Sequence, residues 1–166
     1  DRLDLMHALT GVKDSKLLTP GRREVLARKI LGVASDHYIL EVTPRVIDEL
    51  RSVMTMNEIM VKSFSSVVAR LHADRGILDA ADVNEQRFAA RVKAESRTGM
   101  PLLAEHRADA RHQVVSAASI LAKVRRDASM REIEKAMQCK IGSGYPHDPD
   151  TLAFLEGWVR EKRELP

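Results

Sequence analysis

Gly76-Ile77-Leu78-Asp79 reads as a short buried strand whose apolar run ends abruptly on a carboxylate. Outward from it, helical and extended patterns alternate. Phe88 and Val92 mark a helix that stops near Gly99, and Pro101 to Glu105 reads as a second short strand. A long small-residue helix follows, roughly His112 to Met137, with Val115, Ala117, Ala118, Leu121 and Val124 among its packing positions. The turn-rich loop from Ile141 to Asp150 leads into a closing helix that carries Leu152, Phe154, Leu155 and Trp158. Upstream, Thr19-Pro20 is an N-cap with proline at the first helical position, and Val25, Leu26, Ile30 and Leu31 recur at helical spacing until Gly32 offers a stop. His37 to Val42 is a short β-rich run, and Thr43-Pro44 after it opens a helix through Leu50. Thr55 with Glu58 forms a capping box, behind which Met56, Ile59, Met60, Phe64, Val67, Val68 and Leu71 trace one apolar stripe. Strands alternating with helices predict an α/β fold.

The 166 residues, 44% of them hydrophobic, are enough for one buried core, and no repeat, low-complexity tract or linker divides them. One domain over residues 1–166 is the expectation. The net charge of +3 is too small to identify a nucleic-acid partner by itself. Its distribution is more informative. From Lys13 to Lys29 six basic residues stand against Asp14 and Glu24, and from His106 to Arg131 six stand against Asp109 and Asp127. Two such clusters suit a phosphate backbone, and equally a pair of solvated helix faces. The lone Cys139 excludes an intramolecular disulfide, argues against a thiolate zinc site, and suits a reducing compartment. With neither a membrane-length apolar run nor a signal peptide in the sequence, a cytoplasmic monomer without a membrane partner is expected.

Asp79 and Asp109 each follow a short apolar run and stand where a strand gives way to a loop, which is where α/β proteins place their sites. Asp109 also precedes the long helix, whose N-terminal partial charge favours a carboxylate. Ionised carboxylates are hard oxygen ligands for magnesium or manganese, although turn and cap duty would place the same residues there. Other patterns fail. Gly142-Ser-Gly144 opens no helix with a following lysine, so there is no phosphate loop, and Ser119 and Lys123 are one residue too far apart for a Ser-x-x-Lys nucleophile. His106, Asp109 and His112 match no zinc spacing. Ser116, Ser119 and Lys123 share a helical face, on which the lysine either reaches a phosphate or lies along packing.

Taken in order, Gly11-Val-Lys-Asp-Ser-Lys-Leu-Leu-Thr19, Met56-Asn-Glu58, Leu78-Asp-Ala-Ala-Asp-Val-Asn84, Glu105-His-Arg-Ala-Asp-Ala110, Val115-Ser-Ala-Ala-Ser-Ile-Leu-Ala-Lys123 and Gly142-Ser-Gly-Tyr-Pro-His-Asp-Pro149 resemble ribonuclease HII. The Asp-Ala-Ala-Asp-Val and Glu-His-Arg-Ala-Asp forms resemble its archaeal and eukaryotic branch. The resemblance implies a ribonuclease H-like mixed sheet flanked by helices, and hydrolysis of the RNA strand of RNA/DNA hybrids, or of DNA with embedded ribonucleotides. It implies two-metal chemistry with Mg2+ or Mn2+, leaving 5'-phosphate and 3'-hydroxyl ends. By motif position Asp79 and Asp109 resemble two of four metal-binding carboxylates and so the catalytic residues. Lys13, Ser15, Lys16 and Asn57 resemble backbone contacts, and Lys123 is a candidate phosphate contact. Tyr145 resembles the tyrosine set against the ribonucleotide at an RNA-to-DNA junction. One segment departs. The family pattern opens on a strand carrying Asp-Glu-Ala-Gly, whereas the only Asp-Glu pair here, Asp48-Glu49, precedes Leu50 in a helix-like stretch. The expectation is a chain trimmed at both ends, its N-terminal strands absent, and the alternative function is a hybrid-binding fragment that does not cut.

Overall fold

The structure, a computed structural model, describes residues 18–166. Helices α1 (Pro20–Val33), α2 (Pro44–Arg51) and α3 (Met56–Val68) lead into strand β1 (Gly76–Asp79). Helix α4 (Glu85–Ser96), strand β2 (Leu102–Glu105), the single turn α5 (Ala108–Arg111), the long α6 (Gln113–Met137) and α7 (Pro149–Lys162) follow. The chain divides into two compact units, one ending at Leu121 and the other spanning Ala122–Pro166.

In the first unit, each early helix begins as its cap residue dictates. Thr19 and Thr43 accept the backbone N–H of Arg22 and Val46, each with proline directly after the cap. At α3, Thr55 Oγ1 accepts Glu58 N at 3.3 Å while Glu58 Oε2 accepts Thr55 N at 2.8 Å, which completes the capping box. Gly32 does not stop α1, which runs one residue further; exposed glycine costs a helix only about 1 kcal/mol.

β1 and β2 form a parallel pair in the register Gly76 with Leu102, Ile77 with Leu103, Leu78 with Ala104 and Asp79 with Glu105. The expected α/β class holds, and among the described residues the sheet is this one β–α–β unit with α4 as its crossover. Gly76 lies so close to β2 that a Cβ there would meet Leu102 Cδ2 at 2.6 Å, so a larger residue at the strand's start would have to displace the Leu102 side chain. The core joins Val61 and Val68 of α3, Leu78 of β1, Phe88 and Val92 of α4 and Ala104 of β2. Phe64 meets Phe88 edge to face with centroids 5.1 Å apart. Ser65 Oγ donates to Val61 O at 2.7 Å and approaches Val92 O at 3.2 Å, linking α3 to α4 without a stranded hydroxyl.

The β-rich run His37–Val42 forms no ladder with any described residue. Tyr38, Leu40 and Val42 are half-buried between exposed neighbours, so the period-two pattern is present without a pairing partner. Strand propensity makes a strand only where another backbone takes its hydrogen bonds.

In the second unit, Glu134 Oε1 accepts the N–H groups of Ile141 (2.8 Å) and Gly142 (3.2 Å), which folds the chain back after α6. Gly142 has φ +83°, a conformation that strains any residue with a side chain, and a Cβ there would also strike Thr151 N at 2.8 Å. Asp148 caps α7 and closes the loop by accepting Ser143 N and, at 3.1 Å, the Thr151 hydroxyl.

Candidate active site

Asp79 is the last residue of β1, half-buried, and its Oδ1 accepts the backbone N–H of Ala108 at 3.1 Å. Ala108 opens α5, and the next residue is Asp109, itself buried. Arg107 makes this approach possible by turning the chain off β2 in the left-handed conformation, φ +57°, which a non-glycine residue adopts at a cost of about 1–2 kcal/mol. The two carboxylates singled out from the sequence therefore stand at one end of the sheet, on elements joined by a hydrogen bond. The expectation that Asp109 lies in a loop is refined, since it occupies a helical turn.

Carboxylate oxygens on rigid neighbouring elements fit Mg2+ or Mn2+ in donor chemistry. Among the described residues, no third His, Cys, Asp or Glu joins them to make a metal-binding group. Two carboxylates would furnish only part of a coordination shell, and Mg2+ routinely retains several waters.

Two acids near this site escaped the sequence reading. Glu105, the register partner of Asp79, accepts a hydrogen bond from His112 Nε2 at 2.8 Å, with Arg111 Nη1 at 3.6 Å. The His112 hydrogen bond, assisted by Arg111, holds the Glu105 carboxyl below the usual carboxylate range. His112 accordingly faces Glu105, and the His106, Asp109 and His112 grouping forms no metal cluster. Asp82 is buried and receives Arg87 Nε (3.1 Å) and Nη2 (2.5 Å), Asn57 Nδ2 (2.8 Å) and Asn84 N (3.0 Å). The Arg87 hydrogen bond first, then Asn57 and Asn84, depress its pKa far below that of a free aspartate. Its Asx turn onto Asn84 was the one local signal available, because Asn57 and Arg87 are distant or one helical turn away.

Of the candidate substrate contacts, Lys13, Ser15 and Lys16 lie outside the described residues. Asn57 has one amide hydrogen on Asp82 and keeps a second donor. Lys123 is half-buried on α6. Tyr145, in the second unit, is 41% exposed, with the Arg126 guanidinium 4.0 Å from its ring centroid and His147 stacked at 5.6 Å. The loop beneath the ring is braced by Gly144 N, which donates to Thr151 Oγ1 at 2.8 Å, and by Asp148, whose pKa falls to about 2 under hydrogen bonds from Ser143 and Thr151.

The family model for Ribonuclease HII matches residues 1–165. A ribonuclease HII from Methanothrix thermoacetophila is 58% identical over 159 residues, 96% of this chain and 75% of that protein. The crystal structure of the ribonuclease H2 from Pyrococcus horikoshii OT3 matches with a TM-score of 0.88 at 39% identity, covering 100% of this chain and 79% of that one. A structure of the PCNA:RNase HII complex from Archaeoglobus fulgidus matches with a TM-score of 0.90 at 34% identity, over 99% of this chain and 77% of that one. With the family pattern spanning nearly every residue and archaeal relatives this similar, the chain belongs to the ribonuclease HII family.

Proposed function

We propose that this chain is an endoribonuclease that hydrolyses the RNA strand of RNA/DNA hybrids, or DNA with embedded ribonucleotides, with Asp79 and Asp109 as catalytic ligands of Mg2+ or Mn2+. The observation that carries the site is the hydrogen bond from Ala108 N to Asp79 Oδ1, which brings the strand-end carboxylate to the turn holding buried Asp109. Bound ions in such a pair supply an activated water and stabilise the leaving 3' oxygen, giving 5'-phosphate and 3'-hydroxyl ends. The chain's own part is to fix two carboxylates on a sheet end and a helical turn, where neither has to reorganise as charge develops. Lys13, Ser15, Lys16, Asn57 and Lys123 are assigned to the nucleic-acid backbone and Tyr145 to the ribose, whose 2'-OH distinguishes RNA from DNA. The PCNA complex of the Archaeoglobus fulgidus relative extends to this chain only as the proposal that it too binds PCNA. No helix among the described residues is long and apolar enough to cross a membrane. A binding-only role draws no support from any of the relatives.

The test is Asp79→Asn, which keeps an oxygen for Ala108 N while removing the ligand charge. Metal contributions of several kcal/mol, at 1.4 kcal/mol per tenfold, predict a loss in kcat of about 100-fold or more. Cleavage of a labelled hybrid at fixed Mg2+, with circular dichroism as the folding control, measures it. Turnover near that of the parent would remove Asp79 from the site.

A further inference from the structure

We propose that Glu105 and His112 are positioning residues which clamp the α5 turn so that Asp109 is held beside Asp79. This rests on the reading of those two aspartates as metal ligands. A single helical turn has too few internal hydrogen bonds to persist unaided, so α5 must be anchored from outside. Its first N–H, on Ala108, goes to Asp79 on β1. Its last residue, Arg111, and its C-cap, His112, both reach back to Glu105 on β2, at 3.6 Å and 2.8 Å. Asp79 and Glu105 are register partners, so they occupy the same level of adjacent parallel strands, about 4.8 Å apart in backbone. One acid from each strand thus grips one end of the turn, and Asp109 lies between the two grips.

The pair also separates the roles of two neighbouring acids. Glu105 in its ionised form only accepts hydrogen bonds, so His112 Nε2 is the donor, and the contact directs the Glu105 carboxylate toward α5. Glu105 thus has an oxygen engaged by His112, with Arg111 nearby, while Asp79 spends one oxygen on a backbone N–H. Neither Glu105 nor His112 touches substrate or metal in this scheme; they act through Asp109.

Partners that orient metal ligands typically alter metal affinity or activity by about 10- to 100-fold. The test is Mn2+ binding to the intact protein without nucleic acid, followed by the paramagnetic resonance of free Mn2+. It is paired with hybrid cleavage across a range of Mg2+ concentrations. Glu105→Ala and His112→Ala should each weaken Mn2+ binding and raise the Mg2+ concentration for half-maximal cleavage, on the order of tenfold or more. Metal-free hybrid affinity should stay near the parent value, a separation that general loss of structure would not produce. The double variant should be no worse than the poorer single one, and His112→Gln, whose amide N–H can still reach Glu105, should recover most of the loss. If Glu105→Ala does not fold, His112→Ala and His112→Gln carry the comparison. Parent-like Mn2+ binding in His112→Ala, or a His112→Gln variant as impaired as His112→Ala, would overturn the clamp. Asp79→Asn separates the layers: if it binds Mn2+ normally the metal-site reading fails, whereas if it loses Mn2+ and Glu105→Ala does not, only the clamp fails.

Discussion

Asp82 and Asp79 are three residues apart, yet their environments assign them opposite duties. Asp82 is enclosed by donors from Arg87, Asn57 and Asn84, so its lone pairs are committed within the protein, whereas Asp79 spends one oxygen on a backbone N–H. Asp82→Asn should therefore lower stability, and any effect on cleavage per folded molecule should come through hybrid affinity at Asn57, with kcat near the parent value. The pH dependence follows from the depressed pKa. A carboxylate titrating lower in the folded state than in the unfolded chain stabilises above about pH 4, and that contribution disappears as pH falls through the folded value. The Tm gap between parent and Asp82→Asn should thus be constant near neutrality and close below about pH 4; a gap widening with acidity would contradict the network. Tyr145 yields a second residue-scale expectation. Its exposed ring, braced by Arg126, can lie against a ribose, so Tyr145→Ala should reduce cleavage at a junctional ribonucleotide far more than overall hybrid affinity. Equal losses on every substrate would remove the assignment. The sequence singled out Asp79, Asp109 and Tyr145 as candidates through family motifs. It could not separate Asp82 or Glu105 from ordinary surface acids, because their partners Asn57, Arg87 and His112 meet them only after folding.

Elements were legible wherever their signals are local. Thr19, Thr43 and Thr55 each cap the helix they announce, and Gly76–Asp79 and Leu102–Glu105 pair as short buried runs should. His37–Val42 carries strand propensity without a ladder among the described residues, because a strand is a relation between two segments, and propensity describes one. The β–α–β unit that carries the candidate site depends on α4, whose Phe88 is fully buried against Phe64 in the core shared by α3 and both strands. Phe88→Ala should cost about 3–5 kcal/mol, the usual loss for an aromatic deleted from a core. Thr55→Ala, which removes only the cap of α3, should cost about 1 kcal/mol. Urea denaturation of the two variants side by side measures the difference, and equal midpoints would mean that the core is not centred on α4.

At the scale of the whole molecule, the net charge of +3 understates what the sequence can do, because two stretches, Lys13 to Lys29 and His106 to Arg131, each carry six basic residues against two acids. The total alone does not point to nucleic acid; the distribution, together with family membership, does. A cation that neutralises a phosphate releases condensed counterions, so log affinity falls with log salt by nearly one unit of slope per contact. A cation engaged only within the protein contributes nothing to that slope. Hybrid binding should accordingly weaken steeply with salt, and Lys13→Ala and Lys16→Ala should each weaken affinity across all hybrid sequences while flattening the slope by about 0.7–0.9. Lys62 supplies the control. It is paired with Glu95 at 2.8 Å on the outside of α3 and α4, so Lys62→Ala should leave the slope unchanged. Fluorescence anisotropy of a labelled hybrid, titrated in metal-free buffer at several salt concentrations, reads affinity and slope together without cleavage. A Lys62→Ala slope that drops as far as those of Lys13→Ala and Lys16→Ala would mean that binding senses overall charge, and the assignment of the Lys13 to Lys16 segment to the backbone would fall.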